Sequence, residues 1–282
     1  MKAAINALSA RRPEQDALAA LWQAGQSAQA QILYPQAMEY YRAAAVFNSK
    51  QGDVLQWLAL QNAISWLYHL QGRYPLALAQ TQQVWHAAQQ SGKTEAPEVL
   101  AAHMLYAGAL NDNGQAAVAE HECRKVIEMQ RRVLGAEHPD TLNSRNNLAD
   151  ALRGQGKAAE AGREQCEVLK IRGRVQGAEH PDTLATRGNL ALALLDQGKR
   201  AEAEQEHRAV LKIRERVLGA EHPSAALSCY NLALCLEAQQ KLSEALSYTQ
   251  RAERVFTKIL GPDHPHTQSA KIWRERLDAK LK

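Results

Sequence analysis

One eight-residue block, returning at a fixed interval, constrains this chain more than any other feature. Leu134-Gly135-Ala136-Glu137-His138-Pro139-Asp140-Thr141 returns from Gln176, from Leu218 and from Leu260, with a period of 42 each time. The last copy reads Leu260-Gly261-Pro262-Asp263-His264-Pro265-His266-Thr267. Asn147-Leu148-Ala149 keeps step as Asn189-Leu190-Ala191 and Asn231-Leu232-Ala233. Gly156-Lys157 becomes Gly198-Lys199 and then Gln240-Lys241, where the glycine is lost. Toward the N-terminus the copies weaken to Pro97, Ala107 and Gly114, then to Gly72-Arg73 and Ala77. The earliest, from Gln31, matches Gln71 at a spacing of 40, which makes six units and a tail. Such periodicity is the signature of repeats that must stack to bury a core.

Each unit reads as two helices. Pro139 suits a first helical turn, with Asp140 near the positive end of the helix dipole. Leu142, Leu148, Ala149 and Leu152 recur at helical spacing, and Gly156 suits a left-handed cap. The second helix carries Ala161, Cys166, Leu169, Ile171 and Val175 and ends near Gly177. At about 16 residues each helix is roughly 24 Å long. Apolar residues make up 45% of the chain and charged residues 23%, which predicts a folded chain. Runs of Val, Ile and Thr are few, so the expected class is all-α. The predicted organisation is two degenerate, aromatic-rich units over 1–96, four 42-residue units over 97–264 and a capping helix over 265–282. That last helix would start at Pro265 and place Ile272, Trp273 and Leu277 among charged residues.

The blocks His138-Pro139-Asp140-Thr141-Leu142, Arg145-Asn146-Asn147-Leu148-Ala149 and Gly156-Lys157, with their copies, resemble tetratricopeptide repeats. The likeness is to the long, 42-residue kind of kinesin light chains and many bacterial proteins, and it is specific from about residue 97 to 267. It implies an α-solenoid, a right-handed superhelix whose first helices line a concave groove. It does not imply a motor protein, because coiled-coil heptads are absent.

Other classes fit poorly. Thirty-four Lys and Arg are interspersed with 30 Asp and Glu, giving a net charge of +4, which reads as solvated surface and not as a nucleic-acid stripe. No apolar run reaches the roughly 18 residues of a membrane span. Arg11-Arg12 follow Met1-Lys2-Ala3-Ala4-Ile5-Asn6 with no apolar core between, so no signal peptide is expected. Cys123, Cys166, Cys229 and Cys235 form no Cys-x-x-Cys pair and read as small buried residues in a reducing, cytoplasmic setting. His138, His180, His222 and His264 come one per unit, too far apart for one metal ion, and read as helix caps. No nucleophile–base pairing, phosphate loop or His-Glu-x-x-His motif occurs, so neither an enzyme nor a cofactor is expected.

Counting helical turns gives the residues of the first-helix face. They are Asn143, Asn147 and Asp150 in the fourth unit, Ala185, Asn189 and Leu192 in the fifth, and Leu227, Asn231 and Leu234 in the sixth. In related repeats an Asn at the position of Asn147, Asn189 and Asn231 contacts peptide ligands. An amide offers donor and acceptor to a peptide backbone; regular recurrence speaks equally for a stacking role. Arg145 and Arg187 would reach an acidic ligand group or pair with an acid of the next unit. Residues 1–96 hold only 12 charged residues but 10 of the 15 aromatics. There Trp66 maps to the groove face with Asn62 and His69 beside it, and Trp22 faces the same way or fills the core. The expected function is a protein-interaction module that holds a peptide segment of a partner protein in its groove. The alternative is an assembly scaffold, a homodimer through the aromatic units; balanced charge argues against an RNA-binding repeat.

Overall fold

The computed structural model of the chain describes residue 5 and residues 14–282. The Met1–Asn6 and Arg11-Arg12 segments, Ile5 apart, lie outside the described residues. Thirteen helices and no strand occur among the described residues. The chain divides into two compact units at Leu134–Gly135, inside the regular repeats and not at residue 96, where the composition changes.

The first unit holds α1 (Glu14–Ala30), α2 (Tyr34–Gln51), α3 (Val54–Leu70), α4 (Tyr74–Gln90), α5 (Pro97–Asp112) and α6 (Ala116–Val133). Each packs on the next, and α3 also touches α5. Leu21, Met38, Tyr41, Ile64 and Leu67 form one core; Leu58, Val84 and Val99 form another. The second unit holds α7 (Pro139–Gly154), α8 (Ala158–Val175), α9 (Pro181–Asp196), α10 (Arg200–Leu218), α11 (Pro223–Ala238), α12 (Leu242–Leu260) and α13 (Pro265–Leu281). Here too each helix packs on the next, and the first helices α7, α9 and α11 touch in turn. Its core gathers Leu232, Leu236, Phe256, Trp273 and Leu277. Burying each such side chain stabilises by about 1.5–3 kcal/mol.

Local chemistry sets the ends. His138, His180, His222 and His264 are N-caps, each Nδ1 accepting from the backbone N–H two residues on at 3.1–3.2 Å. An accepting Nδ1 requires the neutral imidazole. The turns inside the hairpins need a left-handed residue: Gly156 has φ +76° and Gly198 φ +80°. Gln240 and Ile32 hold the same turn at φ 62° and 63° without being glycine.

Three sets of contacts fix the stacking, and the sequence signalled none of them. At a spacing of 19, a first-helix residue meets the second helix of its own hairpin: Gln61 with Gln80, His103 with Glu122, Arg145 with Glu164, Arg187 with Glu206. At a spacing of 37, second-helix ends pair with the preceding connection: Arg132 with Glu95, Arg174 with Glu137, Arg216 with Glu179, Lys258 with Glu221. These pairs are exposed and worth about 0–1 kcal/mol each, so they set register more than stability. Third, the amides of Asn113, Gln197 and Gln239 donate across the stack to the carbonyls of Tyr74, Ala158 and Arg200 at 3.0–3.3 Å.

Helix α13 starts at Pro265 as the sequence predicts, and it buries Trp273 and Leu277 while leaving Ile272 64% exposed. The indole of Trp273 donates to Glu237 at 2.7 Å, and Arg276 and Lys280 pair with the same carboxylate. Cys123, Cys229 and Cys235 are buried and Cys166 is half-buried. Burial pushes the Cys229 thiol to about 11 and that of Cys235 to about 12, so both stay protonated and inert.

Candidate functional site

In the first unit the helices α1 and α3 present aromatic rings. Trp22 packs against Tyr41 with centroids 5.2 Å apart, and Trp66 stacks on His69 at 4.6 Å. Trp66 remains 39% exposed. His69 Nδ1 lies 2.7 Å from Asp112 on the next first helix, so the stacked ring is held from two sides. Trp22 and Trp66 both line a hollow of about 450 Å3 with Gln26, Gln29, Tyr34 and Leu70. A smaller hollow of about 270 Å3 adjoins it, lined by Leu18, Trp22, Gln23, Gln56 and Leu60. Burial raises the Tyr34 and Tyr41 hydroxyls above their usual range, which keeps the larger hollow uncharged. Asn62 does not share this surface. It is buried, and its amide donates to the Glu98 carbonyl at 2.9 Å, which ties α3 to α5.

In the second unit the asparagine ladder divides. Asn189 donates to the Asp150 carboxylate of the preceding repeat at 3.2 Å. The residue that meets Asn231 at the same step back is Leu192, which offers no acceptor. Asn147 and Asn231 are half-exposed and make no side-chain hydrogen bond among the described residues. Leu192 and Leu234 are half-buried. Asn143 accepts from the buried Arg172, which also donates to the Asp182 carbonyl and Thr186. Arg153 pairs with Asp196 at 3.2 Å, repeating the His69–Asp112 contact two units on. Arg145 and Arg187 pair with acids of their own hairpin, not of the next unit as expected. Their guanidinium groups are committed to holding two helices together.

A cavity larger than the two hollows, about 940 Å3, lies elsewhere, between the second helices α4 and α6. Trp85, Tyr106, Met129, Lys125 and Arg132 line it with the buried His103. His103 stacks on Trp85 at 4.0 Å and donates from Nε2 to Glu122 at 2.7 Å. Burial holds its pKa below the ordinary value despite the carboxylate. The sequence did carry a signal here: His103 occupies the slot of Arg145 and Arg187, one period earlier. No group of three His, Cys, Asp or Glu able to hold a metal occurs among the described residues. No helix among them is long and apolar enough to cross a membrane.

Sequence profiles of the tetratricopeptide repeat match residues 98–172, 183–224 and 225–266, together more than half of the chain. No curated protein sequence matches it. Among solved structures, the kinesin-light-chain-type, nearly identical TPR-like repeats of Podosopora anserina share 29% identity. The match covers 71% of this chain and 95% of that one, with a TM-score of 0.54. BtubC (BKLC) from P. vanneervenii is 19% identical, covering 87% and 94%, with a TM-score of 0.56. NprR in complex with its cognate peptide NprX is 15% identical, covering 93% and 74%, with a TM-score of 0.72. The latter two show likeness of fold.

Proposed function

Because the chain belongs to the tetratricopeptide repeat family, we propose that it is a protein-interaction module holding an extended peptide segment of a partner protein on its first helices. The observation that carries this reading is the unevenness of the ladder. A purely structural asparagine would be satisfied in every repeat. Asn189 is, whereas Asn147 and Asn231 keep donor and acceptor free, Asn231 with Leu234 one turn on along the same helix. A free amide next to apolar side chains suits a peptide, whose backbone needs hydrogen bonds while its side chains need cover. The peptide-bound NprR supports the reading, since a chain of the same fold is there in complex with a peptide.

On this reading Asn147, Asn231, Leu192 and Leu234 are the ligand contacts on the second unit, and Trp66 and Trp22 are those on the first. Asn143, Arg145, Asp150, Arg187, Asn189, His69 and Asn62 hold the surface in shape. The protein carries no chemistry of its own and works in the cytoplasm. The test is selection of binders from a random decapeptide library, followed by calorimetry. Asn231→Ala and Asn147→Ala are expected to weaken a selected peptide at least fivefold with Tm unchanged. Asn189→Ala is expected to lower Tm instead. Full binding by the Asn147→Ala/Asn231→Ala double variant would reject the groove.

Self-association through the first unit is the second reading. It is favoured by the exposed apolar side chains Val46 and Leu76 on α2 and α4, at 63% and 50% exposure. Sedimentation showing a dimer that Val46→Lys with Leu76→Lys dissolves would establish it.

A further inference from the structure

The two hollows of the first unit share a wall, Trp22, and they differ from the rest of the surface in charge. No lining residue of either is charged. The larger is framed by aromatic rings with amides at its edge: Trp22, Tyr34, Tyr41 and Trp66, with Gln26 and Gln29. The smaller is floored by the buried Leu18 and Leu60. An ionised side chain would lose its hydration in either hollow and gain no counter-charge, so each selects an uncharged occupant. Aromatic walls and a buried leucine floor reward bulk, because each apolar group removed from water adds to affinity.

The spacing of the hollows restricts the occupant further. Along α3 the smaller hollow takes Gln56, Ala59 and Leu60, and the larger takes Ala63, Trp66 and Leu70. Along α1 the smaller takes Leu18, Ala19, Trp22 and Gln23, and the larger takes Trp22, Gln26, Gln29 and Ala30. The order runs the same way on both helices. With a rise of 1.5 Å per residue, the two centres lie about 9–12 Å apart. A polyproline-type extended chain advances 3.1 Å per residue and returns to the same side every third residue, about 9 Å on. A flat β-strand presents same-side residues about 7 Å or 13 Å apart, outside that interval.

We infer that these hollows form a paired anchor site for a peptide segment bearing two bulky uncharged side chains three residues apart, one on each side of the Trp22 indole. The inference rests on the peptide-binding reading and adds to it the chemistry and spacing of the ligand. Trp66 forms the outer wall of one socket, and its exposure is the cost of keeping that socket open.

The experiment is selection of a phage-displayed random decapeptide library on the full chain. Enriched peptides are expected to carry Leu, Ile, Met, Phe, Trp or Tyr at positions i and i+3. A synthetic peptide of the consensus is then compared with one whose second anchor is moved to i+2, which is expected to bind at least tenfold more weakly. Trp66→Ala, and Gln26→Lys as a variant at an exposed site that leaves the core untouched, are each expected to cost at least fivefold with helix content unchanged. Enriched peptides with charged anchors, or binding indifferent to both Trp66→Ala and Gln26→Lys, would overturn the inference while leaving the peptide module standing. Absence of any enriched peptide would overturn both.

Discussion

The two units are built from the same hairpin and filled in opposite ways. In two repeats of the second unit, the slot where a first helix faces its own second helix holds the ion pairs Arg145–Glu164 and Arg187–Glu206, and in the third it holds Cys229. In the first unit the same slot holds the amide pair Gln61–Gln80 and then the half-way case His103–Glu122. Long charged side chains span the gap between helices and close it. All three hollows described above lie in the first unit, and one of them is lined by the His103–Glu122 pair of this slot. A repeat therefore trades self-sufficiency for binding surface by changing what stands at a few fixed columns, with the backbone plan unchanged.

The sharpest way to break this contrast is at one buried column. Arg172 and Gln130 are one period apart, and both are fully buried. Arg172 gathers Asn143, Thr186 and the Asp182 carbonyl, whereas both polar atoms of the Gln130 amide lack a partner. Arg172→Ala is expected to cost about 3 kcal/mol, from lost hydrogen bonds and a cavity. Gln130→Leu removes an unsatisfied buried amide and is expected to stabilise by about 1 kcal/mol. Urea unfolding of both variants checks the pair; destabilisation by both would show that the columns are equivalent.

Acid tests a buried histidine of the second unit next. Burial, and then the nearby Arg214, push the buried His207 down to about 4. The folded state thus binds fewer protons than the unfolded chain, whose histidine titrates near 6.5. Stability is full above about pH 6.5 and falls as the pH drops toward 4, by on the order of 3 kcal/mol. The cap His222, whose pKa burial and then Arg214 also lower, loses its accepting Nδ1 in the same direction. His207→Gln, which places there the residue found at Gln165, is expected to flatten the acid limb of the Tm profile.

Gly25→Ala probes the aromatic wall of the first unit. A Cβ there would stand 2.5 Å from the Tyr41 ring, which braces Trp22. Overpacking of this kind costs about 1–3 kcal/mol, and the variant is expected to lower Tm and shift the tryptophan emission. The smallest effect comes from the turns. Ile32→Gly and Gln240→Gly relieve left-handed residues in the two units and are each expected to gain about 1 kcal/mol. The branched Ile32 is expected to gain more.

Repetition made the fold legible. Pro139, Gly156 and their copies marked helix ends that the structure places at Pro139–Gly154 and Pro181–Asp196. The histidine caps followed from the same pattern. The surface was only half legible, because it depends on pairs from different helices. The Asn147, Asn189 and Asn231 column looks uniform in sequence, yet its members differ by what stands one repeat earlier. Asp150 occupies Asn189, and Leu192 leaves Asn231 free. The Arg145–Glu164 pair lies across a turn, so the sequence left the guanidinium between an acidic ligand group and an acid of the next unit. Trp22 and Trp66 are 44 residues apart where the first two units are spaced by 40. Only their packing on Tyr41 and His69 brings them to one hollow.

Photo-cross-linking locates a bound peptide most directly. A selected decapeptide with a benzoylphenylalanine in place of one anchor is irradiated on the full chain, and the adducts are mapped by mass spectrometry. Attachment to first helices, at residues around Trp22 and Trp66 of α1 and α3 or around Asn147 and Asn231 of α7 and α11, is the expected result. Attachment confined to Gln83, Met129 or Lys125, in the larger cavity between α4 and α6, would contradict it and move the adhesive surface to the second helices.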